Sequence, residues 1–163
     1  MHLTSPFPSR AAAWRLRLVV AVCSAVFTVG TALHNFVIVD TALVESMMRS
    51  AGVADPAAAA PGFTSGFRAV GCVYIAGNAV GMLAARSRSR ALWWCVFTVN
   101  VTQALGPLMI PAVMWTAVLA EYGVWGALPS VVTDGGAIVL TLAMAGYLLR
   151  FRGTWARGRR RPA

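Results

Sequence analysis

The chain is 163 residues long, 58% apolar and only 12% charged, with a formal net charge of +9. A mean hydropathy of +0.69 excludes an ordinary soluble domain, and the length suits one compact unit. All fourteen basic residues are Arg, and most fall in three clusters: Arg10, Arg15 and Arg17; Arg86, Arg88 and Arg90; and Arg150 through Arg161.

Long apolar stretches separate the clusters, and the five acids (Asp40, Glu45, Asp55, Glu121 and Asp134) fall in or beside the alternate gaps. Cationic loops stay cytoplasmic during insertion, so the pattern predicts an even number of crossings with both termini inside. The basic tail at 150–163 is therefore read as a topology determinant that touches anionic headgroups, and no nucleic-acid partner is expected. Arg used without Lys, beside runs of Ala and Val, is the codon habit of a GC-rich bacterial genome. The expected location is the bacterial cytoplasmic (inner) membrane, multi-pass, with the lipid bilayer as first partner.

A hydrocarbon core of ~30 Å needs about 20 apolar helical residues. Four segments qualify: residues 18–39, 67–85, 92–119 and 128–149. The expected fold class is all-α, a single membrane domain built as a four-transmembrane-helix bundle. Residues 18–39 carry no formal charge and continue too far to be a cleaved signal peptide. An outer loop follows at 40–66. Its first part, 41–50, is helix-compatible: Leu43 and Met47 stack at i,i+4, Glu45 and Arg49 can pair, and Gly52 is a stop. Asp55-Pro56 through Pro61-Gly62 reads as a linker. The third segment contains Pro107 and Pro111, which predict a kink or break in its outer half. The fourth is interrupted only by Asp134.

Polar groups in a bilayer are costly unless they face protein or water, so they mark the interior. At 100° per residue, the first helix aligns Cys23, Phe27, Gly30, Thr31 and His34. The second aligns Gly71, Tyr74, Gly77, Asn78 and Gly81, including a GxxxG that permits close approach. The third aligns Asn100, Gln103, Ala104, Pro107 and Pro111, and the fourth Asp134, Ala137, Thr141 and Ala145. Asn35 and Thr133 fall off these stripes. An outward-facing pocket is the sharp expectation: His34 and Asp134 as catalytic candidates, Arg68, Tyr74 and Glu121 beside them, and Asn78, Asn100 and Gln103 at its floor. The plainer expectation makes the same residues interhelical hydrogen bonds, each worth ~0.6 kcal/mol.

No cofactor is evident. Bis-histidine haem ligation would need a second intramembrane His, and His2 precedes the first span. Zinc-ligand spacing and CxxC are absent, so no metal site is expected and Cys23, Cys72 and Cys95 read as small core hydrophobes.

The layout of four helices, an outer loop after the first, and a short basic turn before the third resembles the DoxX-like group of small bacterial membrane proteins. The nearest likeness is Phe67-Arg68-Ala-Val-Gly71-Cys-Val-Tyr74-Ile-Ala-Gly77, with an acid early in the last helix, here Asp134. Some members of that group are linked to redox complexes, so the resemblance implies a fold more than one activity.

Three functional expectations follow. The first is a non-enzymatic accessory or assembly subunit, as a homodimer or in a larger membrane complex. The second is a membrane-embedded enzyme or enzyme subunit acting on a lipidic or quinone-like substrate, with His34 and Asp134 as acid and base. The third is a small oligomeric transporter whose counter-ion site falls to Asp134.

Overall fold

The computed structural model describes residues 9–155, and every regular element among them is helical. α1 spans Arg10–Leu33 and runs into a π-helical turn, His34–Ile38. α2 is Thr41–Ser50, and α3 is Pro56–Gly81, closed by a 3-10 turn at Met82–Ala85. α4 (Arg90–Ala104), the single turn α5 (Gly106–Met109) and α6 (Ala112–Ser130) follow. A second π-helical turn, Val131–Gly135, leads into α7, Gly136–Phe151. Three helical stretches are long and apolar enough to cross a bilayer: Arg10–Ile38, Pro56–Ala85 and Ala112–Phe151. The chain is a helical membrane protein.

The starts of the helices are written in the sequence as caps. Ser9, Asp40, Asp55 and Ser89 each accept a backbone N–H three residues on, at 3.1, 2.8, 3.1 and 3.3 Å. α2 forms where the i,i+4 pairs place it, with the Glu45–Arg49 ion pair at 2.5 Å and Gly52 at φ +76 beyond its end.

One expectation changes. The stretch from Asp55 to Gly62 is not a linker but the opening of α3. Pro56 sits in the first turn, where its missing N–H would have no intrahelical partner, and the alanines after it are the best helix formers. Pro61 removes one bond to the Ala57 carbonyl, and packing of Ala60 with Val44 and Met47 of α2 offsets the loss. The third expected span, 92–119, breaks in its outer half, as Pro107 and Pro111 predicted. α4 ends at Ala104, Ile110 is extended, and α6 begins after Pro111. At Gly123 (φ 60, ψ −155) α6 turns again, so the final long helix runs over 124–151.

α1 and α3 pack antiparallel, in a register marked by three contacts. Asn35 lies against Gly71, Ser24 against Gly81, and Arg17 against the carbonyls of Ala84 and Ala85. One apolar cluster joins Val20, Ala84, Leu92, Trp93, Met144 and Trp155 at the end that carries the Arg clusters. A second joins Val39, Val44, Met47, Ala60 and Met114 at the opposite end. Between the two clusters the interior is polar, while the exterior is apolar: Val29, Val73 and Leu149 are 61%, 71% and 78% exposed. That inversion suits a molecule solvated by lipid rather than water.

Candidate functional site: a polar seam between the helices

The seam begins at Arg17. Although it lies in the second turn of α1 among apolar neighbours, it is buried, and its guanidinium donates to Ala84 O at 2.8 Å and Ala85 O at 2.7 Å. These are carbonyls of the turn that closes α3, which has no helical donors left to offer them. A cation at a helix C-terminus also meets the negative end of its dipole. Trp155, likewise buried, donates its indole N–H to Ser89 O at 2.9 Å and meets Trp93 edge-on at 6.5 Å. The described parts of the three basic segments thus converge on one end of the molecule.

Midway along the seam Asn78 donates to Gln103 Oε1 at 2.9 Å, and Gln103 approaches Thr31 Oγ1 at 3.5 Å, a long contact. Asn100 donates to Val96 O of its own helix at 2.8 Å. Asp134 accepts from Ser130 Oγ at 2.7 Å and from Thr133 Oγ1 at 3.2 Å, and the Gln103 amide reaches the same carboxylate. Asn78, Gln103, Ser130, Thr133 and Asp134 are all buried. One connected cluster therefore ties α1, α3, α4 and the last helix together.

The other expected members stand apart. His34 is near enough to Asp134 to feel its charge, yet both ring nitrogens are buried without a hydrogen bond. Its ring leans on Phe67, centroid to centroid 5.9 Å, and borders a cavity of only about 10 Å³ with Ile110, Met114, Trp115 and Val118. Arg68 turns its guanidinium over the Phe36 ring at 5.9 Å, while its carbonyl accepts from Asn35 at 3.2 Å. Tyr74 is half-buried and makes no hydrogen bond among the described residues, and Glu121 is exposed. Cys72 and Cys95 face outward, so only the half-buried Cys23 fits the expectation of a core thiol. His2 and the arginines from Arg157 onward lie outside the described residues.

A scan against protein-family models, a search of curated proteins and a search of solved structures find no match for this chain. Its chemistry has to be read from the seam alone.

Sequence reasoning missed Arg17 as a packing residue, and it missed Ser130, Thr133 and Asn35. Ser130 was accessible, since Ser and Asp at i,i+4 face each other on any helix. Asn35 and Thr133 were lost for a geometric reason. Both lie in the π-helical turns, where each residue advances less than 100° and a wheel drawn for a regular helix points them to the wrong side. In the folded chain they are 1% and 2% exposed.

Proposed function

We propose that this chain is a non-enzymatic accessory or assembly subunit of the bacterial cytoplasmic membrane. It crosses the bilayer four times as a four-helix bundle, with both termini cytoplasmic. The observation that carries this reading is that the side chains of Asn78, Gln103, Ser130, Thr133 and Asp134 hydrogen-bond within the seam. Asn78 donates to Gln103, and the Asp134 carboxylate accepts from Ser130 and Thr133. Beside His34 the space amounts to about one water. Polar groups arranged in this way hold helices together, and the surface left to act on other molecules is the apolar exterior. Partners are then other membrane helices, from a second copy or from another subunit. Kinship with the DoxX-like group belongs to the same proposal. It is supported by the role of the Arg68–Gly71 stretch, which takes the Asn35 side chain against its backbone.

A second reading, an enzyme acting on a lipidic or quinone-like molecule, is favoured by one feature, the unbonded ring nitrogens of His34. Native mass spectrometry of the chain released from mild detergent separates the two. The accessory reading expects an oligomer or a complex with another subunit and no retained small molecule. A quinone or lipid carried by the wild type and lost in His34→Ala would replace it with the enzymatic one.

A further inference from the structure

The end of the molecule that gathers the arginines carries no counter-charge. Asp40, Glu45 and Asp55 flank the apolar cluster at the opposite end, Glu121 lies near Asp40, and Asp134 belongs to the seam. Among the described residues the only ion pair is Glu45–Arg49. Arg17 is buried on the Ala84 and Ala85 carbonyls, and Arg88 stands near enough for its charge to act on it. The other described arginines of the three basic segments are exposed. Like charges held at one surface repel one another until an anion offsets them.

The third basic segment reaches this surface because the chain turns back on itself. α7 ends at Phe151, and Arg152 follows in the left-handed conformation, φ 47, which an L side chain adopts at some cost. The residues after it dock: Trp155 is 2% exposed, bonded to Ser89 O at 2.9 Å and edge-on to Trp93 at 6.5 Å. Ser89 lies between Arg88 and Arg90, so the docked indole sits on the basic turn itself. Arg157, Arg159, Arg160 and Arg161 follow within six residues of that anchor.

Depth selects the anion. Trp14 lies between Arg10 and Arg15, Trp94 one turn after Arg90, and Leu149 beside Arg150, and all three are exposed. Exposed tryptophan beside lipid-facing residues marks the boundary between hydrocarbon and headgroups, which is the level of the phosphates. We infer that docking of Trp155 on the basic turn gathers the three arginine segments into one surface that binds anionic phospholipid headgroups in preference to zwitterionic ones. The charges are complementary, and a guanidinium fork pairs with two phosphate oxygens at once. Segments held together engage neighbouring headgroups at a high effective concentration, which separate segments do not. The inference goes beyond the accessory reading and does not depend on it, since the headgroups meet this end whichever partner the apolar exterior meets.

The test uses the full chain in mild detergent with an equal mole fraction of phosphatidylglycerol or phosphatidylcholine, and reads the difference in melting temperature between the two lipids. Phosphatidylglycerol should raise the melting temperature by about 5 °C over phosphatidylcholine. About 1 M salt, where charges are screened beyond about 3 Å, should remove most of that difference. Replacing Arg86, Arg88 and Arg90 together by Gln should remove most of it as well, and these exposed positions leave the core intact. Trp155→Ala keeps every arginine and should still shrink the difference. Because that variant also loses core packing, a chain ending at Trp155 is measured beside it, with the anchor kept and four arginines gone; its difference should fall too. Equal melting in the two lipids overturns the surface, as does a difference that survives high salt or the triple substitution. A full difference in Trp155→Ala or in the shortened chain would mean that the third segment takes no part, and overturns the assembly by docking.

Discussion

A guanidinium buried at the rim of a membrane protein must find acceptors, and Arg17 finds two that no helical N–H can reach. Charge-assisted bonds of this kind contribute about 1.5–3 kcal/mol each where both partners are buried. Arg17→Ala should therefore lower the melting temperature in detergent by several degrees, whereas Arg15→Ala, at an exposed position one residue before Leu16, should leave it nearly unchanged. Equal responses would mean that Arg17 serves only to orient the chain. Gly81 makes the complementary argument for close packing. A Cβ there would collide with the Ser24 side chain, while one at Gly66 meets nothing within 4 Å. Gly81→Leu should cost folded protein by driving α1 from α3, and Gly66→Leu should be tolerated. Tolerance of both, judged by size-exclusion profile and melting temperature, would mean that α1 and α3 do not share this interface.

At the level of elements, α2 and the break in the third segment were legible because they depend on residues near one another in sequence. The Glu45–Arg49 pair announces α2, and Pro107 and Pro111 announce the interruption of the third segment. What escaped depended on context. The alanine-rich start of α3 reads as a linker until Val44 and Met47 of α2 are present to cover Ala60. The π-helical turns leave no composition signal, yet they decide that Asn35 and Thr133 point inward, and so these two members of the seam were invisible to a regular wheel. The corner at Gly123 is of the same kind. A glycine inside an uncharged run gives no hint of its φ of 60 and ψ of −155, a conformation open essentially to glycine alone. Gly123→Ala should destabilise by about 1–3 kcal/mol although the space around it is open. Gly62→Ala, inside a regular helix and equally open, should stabilise by about 0.5–1 kcal/mol. Matching shifts in the two variants would show that the chain does not turn at Gly123.

For the whole molecule, the question is how many times the chain crosses. α4 has 15 residues, about 22 Å of helix, which falls short of the ~30 Å of hydrocarbon it would have to span. Were α4 not to cross, the basic turn at 86–90 and the end of α7 would lie on opposite sides of the membrane. Yet Trp155 bonds to Ser89 and packs on Trp93, and Arg17 bonds to the end of α3, so the described parts of the three basic segments share one end. That juxtaposition supports four crossings, the third completed by the irregular stretch after Ala104. Such a stretch is tolerable at membrane depth only where protein covers it, as the π-helical turn carrying Asp134 does at Gly106. Topology reporters inserted at residue 88 and fused after residue 163 should report the cytoplasm, and insertions near residues 53 and 123 the opposite side. A reporter after residue 163 on the outer side would leave three crossings, and with them neither the shared basic end nor a seam closed by four helices could stand.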